Sequence, residues 1–119
     1  MRYTGRMSEK LTEKRCVPCE EGSGGKPLAK AAAARLMHEL EGWTLAKDGG
    51  SIAKEIVFKN FDKAMDFVNM VADLAEQEGH HPDIAIHYNT VVLDLSTHAV
   101  SGLTENDFIL ASKIDAIRL

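Results

Sequence analysis

The stretch Asn60–His98, NFDKAMDFVNMVADLAEQEGHHPDIAIHYNTVVLDLSTH, changes its apolar period once, and that change decides the fold. In its first half Phe61, Ala64, Met65, Val68, Val71, Ala72 and Ala75 recur at the spacing of one helix face. Asn60 supplies an N-cap and Gly79 a C-terminal stop. In its second half Ile84, Ile86 and Tyr88 alternate with Ala85 and His87. Val91, Leu93 and Leu95 then alternate with Val92, Asp94 and Ser96, the period of half-buried strands. Asn89-Thr90 stands between the two runs as a two-residue hairpin loop. That loop pairs Tyr88 with Val91, Ile86 with Leu93 and Ile84 with Leu95. Extended outward, it sets Asp83 against Ser96 and His81 against His98. The apolar side chains then share one face, and His81 and His98 become cross-strand neighbours with Cβ atoms about 5 Å apart.

Working outward, the same logic covers the flanks. Pro27 suits a first helical turn, and Leu28, Ala32, Leu36, Met37 and Leu40 form a stripe that Gly42 ends. His38, within it, reads as a surface residue. Trp43–Ala46 and Ser51–Lys59 read as strands around the hairpin turn Asp48-Gly49-Gly50, with Ile56 and Phe58 on one face and the alternation broken at Ala53 and Lys54. Thr104 and Asp107 open a last helix as a capping-box relative, with Phe108, Leu110, Ala111, Ile114 and Ile117 as its stripe. The order helix, strand, strand, helix, strand, strand, helix predicts an α+β fold: a four-stranded antiparallel sheet with three helices on one face. Residues 1–25, polar and glycine-punctuated, read as a flexible N-terminal extension, and residues 26–119 as a single domain.

Composition narrows the function classes. With 45% hydrophobic and 27% charged residues the chain is globular, and a net charge of −4 with scattered Lys and Arg argues against direct nucleic-acid binding. No apolar run reaches the ~18–20 residues of a membrane span, and no secretory h-region opens the chain. The cytoplasm is the expected compartment. Cys16 and Cys19 form a Cys-x-x-Cys pair, half of a zinc site or a redox pair. No second pair completes a zinc set, and no strand precedes Cys16, so the pair reads as incidental.

The unusual chemistry lies in the join, Glu76-Gln77-Glu78-Gly79-His80-His81-Pro82. Gly79 ends the helix sharply and Pro82 forces His81 toward an extended conformation, so two imidazoles are held with little backbone freedom. Acids in the last helical turns oppose the macrodipole, and local rules are most often broken where function compensates. Glu76, four residues before His80, is the best candidate to orient an imidazole; Asp73 and Glu78 read as solvated surface acids. Three histidines could suggest a His₃ metal site. Adjacent histidines point in different directions, however, so metal-free proton transfer is the preferred reading.

Glu76, three residues, His80-His81-Pro82, five residues, Tyr88, nine residues, His98, eight residues, Asp107: this spacing resembles the signature of the pterin-4a-carbinolamine dehydratases. The likeness extends over about residues 28–119, including the run Leu95-Ser96-Thr97-His98. It implies dehydration of a 4a-hydroxytetrahydropterin to quinonoid dihydropterin, with no metal or organic cofactor. It implies His80, His81 and His98 as acid–base residues and Glu76 and Asp107 as orienting carboxylates. It also implies pterin contact by His80, His81, Pro82, Ser96, Thr97, His98, Ala99 and Val100. Ile84 departs from the pattern, which often carries an aromatic wall there. Among partners, the resemblance implies the pterin itself, a homotetramer or homodimer, and a functional link to an aromatic amino acid hydroxylase. The alternative it leaves open is a pterin-binding or dimer-stabilising scaffold or coactivator without turnover.

Overall fold

The structure, a computed structural model, describes residues 11–16 and 27–118. Cys19 lies outside the described residues. Four antiparallel strands, β1 (Thr44–Leu45), β2 (Ile52–Val57), β3 (Asp83–His87) and β4 (Thr90–Leu95), form one sheet in the order β1-β2-β4-β3. Three α-helices join them: α1 (Lys30–Leu36), α2 (Phe61–Glu78) and α3 (Glu105–Asp115). Val91, Leu93 and Leu95 are fully buried on the sheet face that the helices cover, while Thr90, Val92 and Asp94 on the other face are half-buried. This is the α+β arrangement that the periodicities predict.

α2 begins and ends as its sequence dictates. Asn60 Oδ1 accepts from the Lys63 N–H at 2.9 Å, and Gly79 takes a left-handed φ of 67° that a side chain would disfavour. Its buried face is Ala64, Phe67, Val71 and Ala75. Phe67 was not expected there, and Phe61, which was, is 50% exposed. Phe67 instead meets Phe58 with ring centroids 5.1 Å apart, filling the space between β2 and the helix.

α1 is shorter than its apolar stripe suggests. The Leu28 N–H is drawn to the Leu103 carbonyl at 2.7 Å, and Ala29 is extended, so the helix starts at Lys30. Met37–Glu39 closes it as a 3₁₀ turn. The break in alternation in β2 also has a cause. Lys54 lies across from Leu93 on the helix-covered face, where its Nζ reaches Asp115 Oδ1 at 2.8 Å. The Trp43 indole N–H donates to the same oxygen at 2.9 Å and the Glu41 N–H to its twin at 3.1 Å, so the buried-edge charge is paired.

The β3–β4 register corrects the sequence reading by two residues. The loop is Tyr88-Asn89, not Asn89-Thr90, and the ladder pairs His87 with Thr90, Ile86 with Val91, Ile84 with Leu93 and Asp83 with Asp94. Each side chain keeps its face, because the shift is even. The register follows from Asn89: its carbonyl accepts the Phe58 N–H at 2.8 Å and its Nδ2 donates to the Phe58 carbonyl at 2.9 Å. Asn89 is thereby fixed at the end of β2, and β4 starts one residue later.

The N-terminal portion also differs from a separate extension. Residues 11–16 lie against α3, with a 3₁₀ turn at Leu11–Glu13 and Leu11 only 2% exposed. α3 is accordingly buried on nearly every side, from Asn106 through Ser112 and at Ile114.

Candidate active site

Three elements converge at one end of the molecule: the C-terminus of α2, the loop after β4 and the N-terminus of α3. Gly79 turns the chain at the end of α2 and delivers His80, whose N–H still bonds the Ala75 carbonyl at 3.2 Å. The His80 side chain is 10% exposed, and its Nε2 meets Asp107 Oδ1 at 2.5 Å. Asp107 is wholly buried. Its second oxygen accepts the Thr97 hydroxyl at 2.8 Å and the Thr104 N–H at 3.0 Å. Thr104 and Asp107 form a full capping box at the start of α3. A buried carboxylate is tolerable here because three donors meet its two oxygens.

His81, one residue on, faces the other way. It is exposed, and its Nε2 meets Glu76 Oε2 at 2.7 Å. The structure thus gives each adjacent imidazole its own carboxylate. Glu76 serves His81 rather than His80, which the i+4 spacing had suggested. After β4, Thr97 and Gly102 exchange two backbone hydrogen bonds, at 2.7 and 3.3 Å, closing a small loop. His98–Val100 forms a 3₁₀ turn in that loop, and Ser101 takes a left-handed φ of 55°.

His98 is exposed on the loop, next to Thr97. It is not a ladder neighbour of His81: the observed register, extended, sets His81 across from Ser96, and both histidines lie outside the strands. Ala99 is exposed, and Pro82, Ser96 and Val100 are half-buried. Thr97 is 2% exposed, and its hydroxyl donates to Asp107. Among the described residues no three His, Cys, Asp or Glu side chains converge as a metal site requires.

Two residues beside the histidines were not read from the sequence as the structure has them. Thr104 was visible only as a cap, although the capping box ends on the same Asp107 that the signature contains. Glu78 was taken for a solvated acid, yet its side chain is 5% exposed. Its Oε1 accepts the Cys16 N–H at 3.0 Å and its Oε2 the Lys113 ammonium at 2.6 Å. Burial raises the pKa of Glu78, but the Cys16 amide and the Lys113 charge outweigh it and hold the carboxyl below its ordinary range. The neighbouring Cys16 thiol is pushed up to about 12, by burial first and the Glu78 charge second. It is therefore a poor nucleophile.

The chain is similar to known proteins over most of its length. The family model described as "Pterin 4 alpha carbinolamine dehydratase" matches residues 26–117. A protein of Nitrosospira multiformis, named "Putative pterin-4-alpha-carbinolamine dehydratase", is 45% identical over 107 residues, covering 90% of this chain and 91% of its own. A solved structure of a transcriptional coactivator/pterin dehydratase from Brucella melitensis superposes with a TM-score of 0.72 at 32% identity, over 76% of this chain and 97% of that one. A pterin dehydratase-like protein described as a RuBisCO assembly factor in the alpha-carboxysome superposes with a TM-score of 0.55, over 64% of this chain and 88% of that one. At 22% identity it shows the fold alone. With a family match spanning the whole region that builds the site, the chain belongs to the pterin-4-alpha-carbinolamine dehydratase family.

Proposed function

We propose that this protein dehydrates a 4a-hydroxytetrahydropterin to the quinonoid dihydropterin. The observation that carries the reading is the pair of carboxylate-held imidazoles on adjacent residues, His80 on Asp107 and His81 on Glu76. The reaction breaks the C4a–O bond and the N5–H bond and forms the C4a=N5 double bond. The departing oxygen needs a proton to leave as water, and the N5 proton needs a base. Imidazoles are suited to both transfers near neutral pH. His80, His81 and His98 are the acid–base residues of this proposal, and Glu76 and Asp107 orient the first two. Pro82, Ser96, Ala99, Val100 and the Thr97 backbone would flank the pterin. Ile84, 36% exposed, would offer an aliphatic wall. The chemistry calls for no metal or organic cofactor. The proposal extends to a homotetramer or homodimer in the cytoplasm, supplied with its carbinolamine by an aromatic amino acid hydroxylase.

The test is the rate of quinonoid dihydropterin formation from freshly generated 4a-hydroxytetrahydropterin. Wild type should accelerate it, and His80→Gln and His81→Ala should each lose on the order of 10²-fold, the scale of one acid–base contribution. No acceleration by folded wild type would discard the proposal. That outcome would promote a second reading, a partner-binding protein. It draws on the coactivator description of the Brucella melitensis structure and on the exposed apolar side chains Val57, Phe61 and Tyr88.

A further inference from the structure

We propose that Thr97 and Thr104 are positioning residues for His80: their linked hydroxyls hold the Asp107 carboxylate in the one orientation that fixes the imidazole as its Nε2–H tautomer. Nδ1 is then the atom left to exchange protons. The inference rests on the acid–base reading above and deepens it.

The argument is an accounting of protons in a buried space. Asp107 Oδ2 lies 3.0 Å from the Thr104 N–H, which can only donate. It lies 2.8 Å from Thr97 Oγ1, which donates to it. Thr97 has one hydroxyl proton, so once that proton points at Asp107 its oxygen can only accept from Thr104 Oγ1, 2.9 Å away. The Asp107 N–H goes to the Thr104 backbone carbonyl at 3.1 Å, and the Thr104 hydroxyl proton is left for Thr97. The donors therefore run in one direction, from the Thr104 hydroxyl through Thr97 to the Asp107 carboxylate. An ionised carboxylate can only accept, so with Oδ2 held by two donors and Oδ1 facing His80 at 2.5 Å, Nε2 carries the hydrogen.

The second ring nitrogen follows. Among the described residues no buried side-chain nitrogen or oxygen lacks a hydrogen-bond partner. Among the described residues Nδ1 of His80 has no hydrogen-bond partner, so it is the ring atom that keeps contact with solvent in a side chain otherwise 10% exposed. A neutral imidazole held this way offers a lone pair at Nδ1 and a proton there when charged. This orientation by a buried carboxylate is the logic of the aspartate in serine-protease triads. The new element is that two buried hydroxyls hold the carboxylate that orients the ring.

The full chain, labelled with ¹⁵N in its histidine rings, tests this by NMR at a pH where His80 is neutral. Wild type should show a protonated Nε2 and an unprotonated Nδ1. Thr97→Val and Thr104→Val, which keep the shape and remove the hydroxyl, should each give a mixture of tautomers, and Thr97→Ser should restore the single form. A protonated Nδ1 in wild type overturns the proposal, as does an unchanged tautomer in both valine variants. If one valine variant does not fold, the other carries the test. In the dehydration assay Thr97→Val should lower kcat on the order of 10-fold or more with KM unchanged. A raised KM with kcat intact would make Thr97 a ligand contact and overturn the positioning role. Failure of the dehydratase reading would appear separately, as absent turnover in wild type with the tautomer result intact.

Discussion

Glu78 and Lys113 meet at 2.6 Å across the seam between α2 and α3, with side chains 5% and 15% exposed. Removing one partner of such a pair leaves a desolvated charge behind. Glu78→Gln should cost on the order of 2–3 kcal/mol in urea unfolding at neutral pH. The sign of the pH dependence follows from the lowered carboxyl. Its contribution is complete above the ordinary glutamate value of 4.5 and is lost as pH falls through the lower folded value. The gap between wild type and variant should therefore close on acidification below that value. A gap that persists in acid would mean that the carboxylate charge is not its source.

Asp94 sits in the opposite situation. It faces Asp83 directly across the β3–β4 ladder, and partial burial, followed by the Asp83 charge, raises its pKa. An acid raised in the folded state costs stability while ionised and is relieved as pH falls through the folded value. Asp94→Asn should raise stability at neutral pH by about a few tenths of a kcal/mol, allowing for solvent screening. The advantage should vanish below the ordinary aspartate value of 3.8. Thermal melts at two pH values check both halves.

Tyr88 holds a φ of 58° at the β3–β4 turn while its side chain is 67% exposed. A bulky residue in this region carries roughly 1–2 kcal/mol of strain that its exposed ring does little to offset. Tyr88→Asn should raise the midpoint of urea unfolding without changing its slope, by up to about 1 kcal/mol. A loss of stability would show that the ring packs against something that covers this turn.

Gly102 leaves no room for a side chain. A Cβ there would lie 2.7 Å from Pro27 Cβ. Neither side can give easily, because Pro27 is a ring and Leu28 next to it is bonded to Leu103 at 2.7 Å. Gly102→Ala should cost about 1–3 kcal/mol, and Pro27→Gly in the same chain should recover part of it. A double-mutant cycle measures that coupling.

Much of this was legible in the sequence because period and capping are local. The Ala64, Val71 and Ala75 positions of the α2 face, its Asn60 and Gly79 ends, the Asp48-Gly49-Gly50 turn and the Thr104–Asp107 cap each follow from a few neighbouring residues. The misreadings fall where distant residues decide. Asn89 looked like half of the hairpin loop, but Phe58, thirty-one positions away in sequence, fixes where the loop sits. Lys54 looked like a break in β2 until Asp115 supplied its counter-charge. In the site, the spacing brought out His80, His81 and Asp107, yet which carboxylate holds which ring depends on the direction in which Gly79 sends the chain. The helical count favoured Glu76 for His80; the three-dimensional path gives it to His81. Glu78 was misread for the same reason, since its partners lie on α3 and at Cys16.

The contacts of Cys16 with Asn106 and of Lys14 with Glu105 join positions 90 and 91 apart in sequence. A ribosome delivers residues 11–16 first and α3 after every other element of the domain. Until α3 emerges, Leu11 has no core to enter, Glu78 has no ammonium, and His80 has no aspartate. The order of synthesis thus runs against the order of assembly, and the buried His80–Asp107 pair can only be a late event in the life of each chain. A nascent chain halted before Thr104 would expose the inner faces of α2 and β4 together, the kind of surface that chaperones recognise.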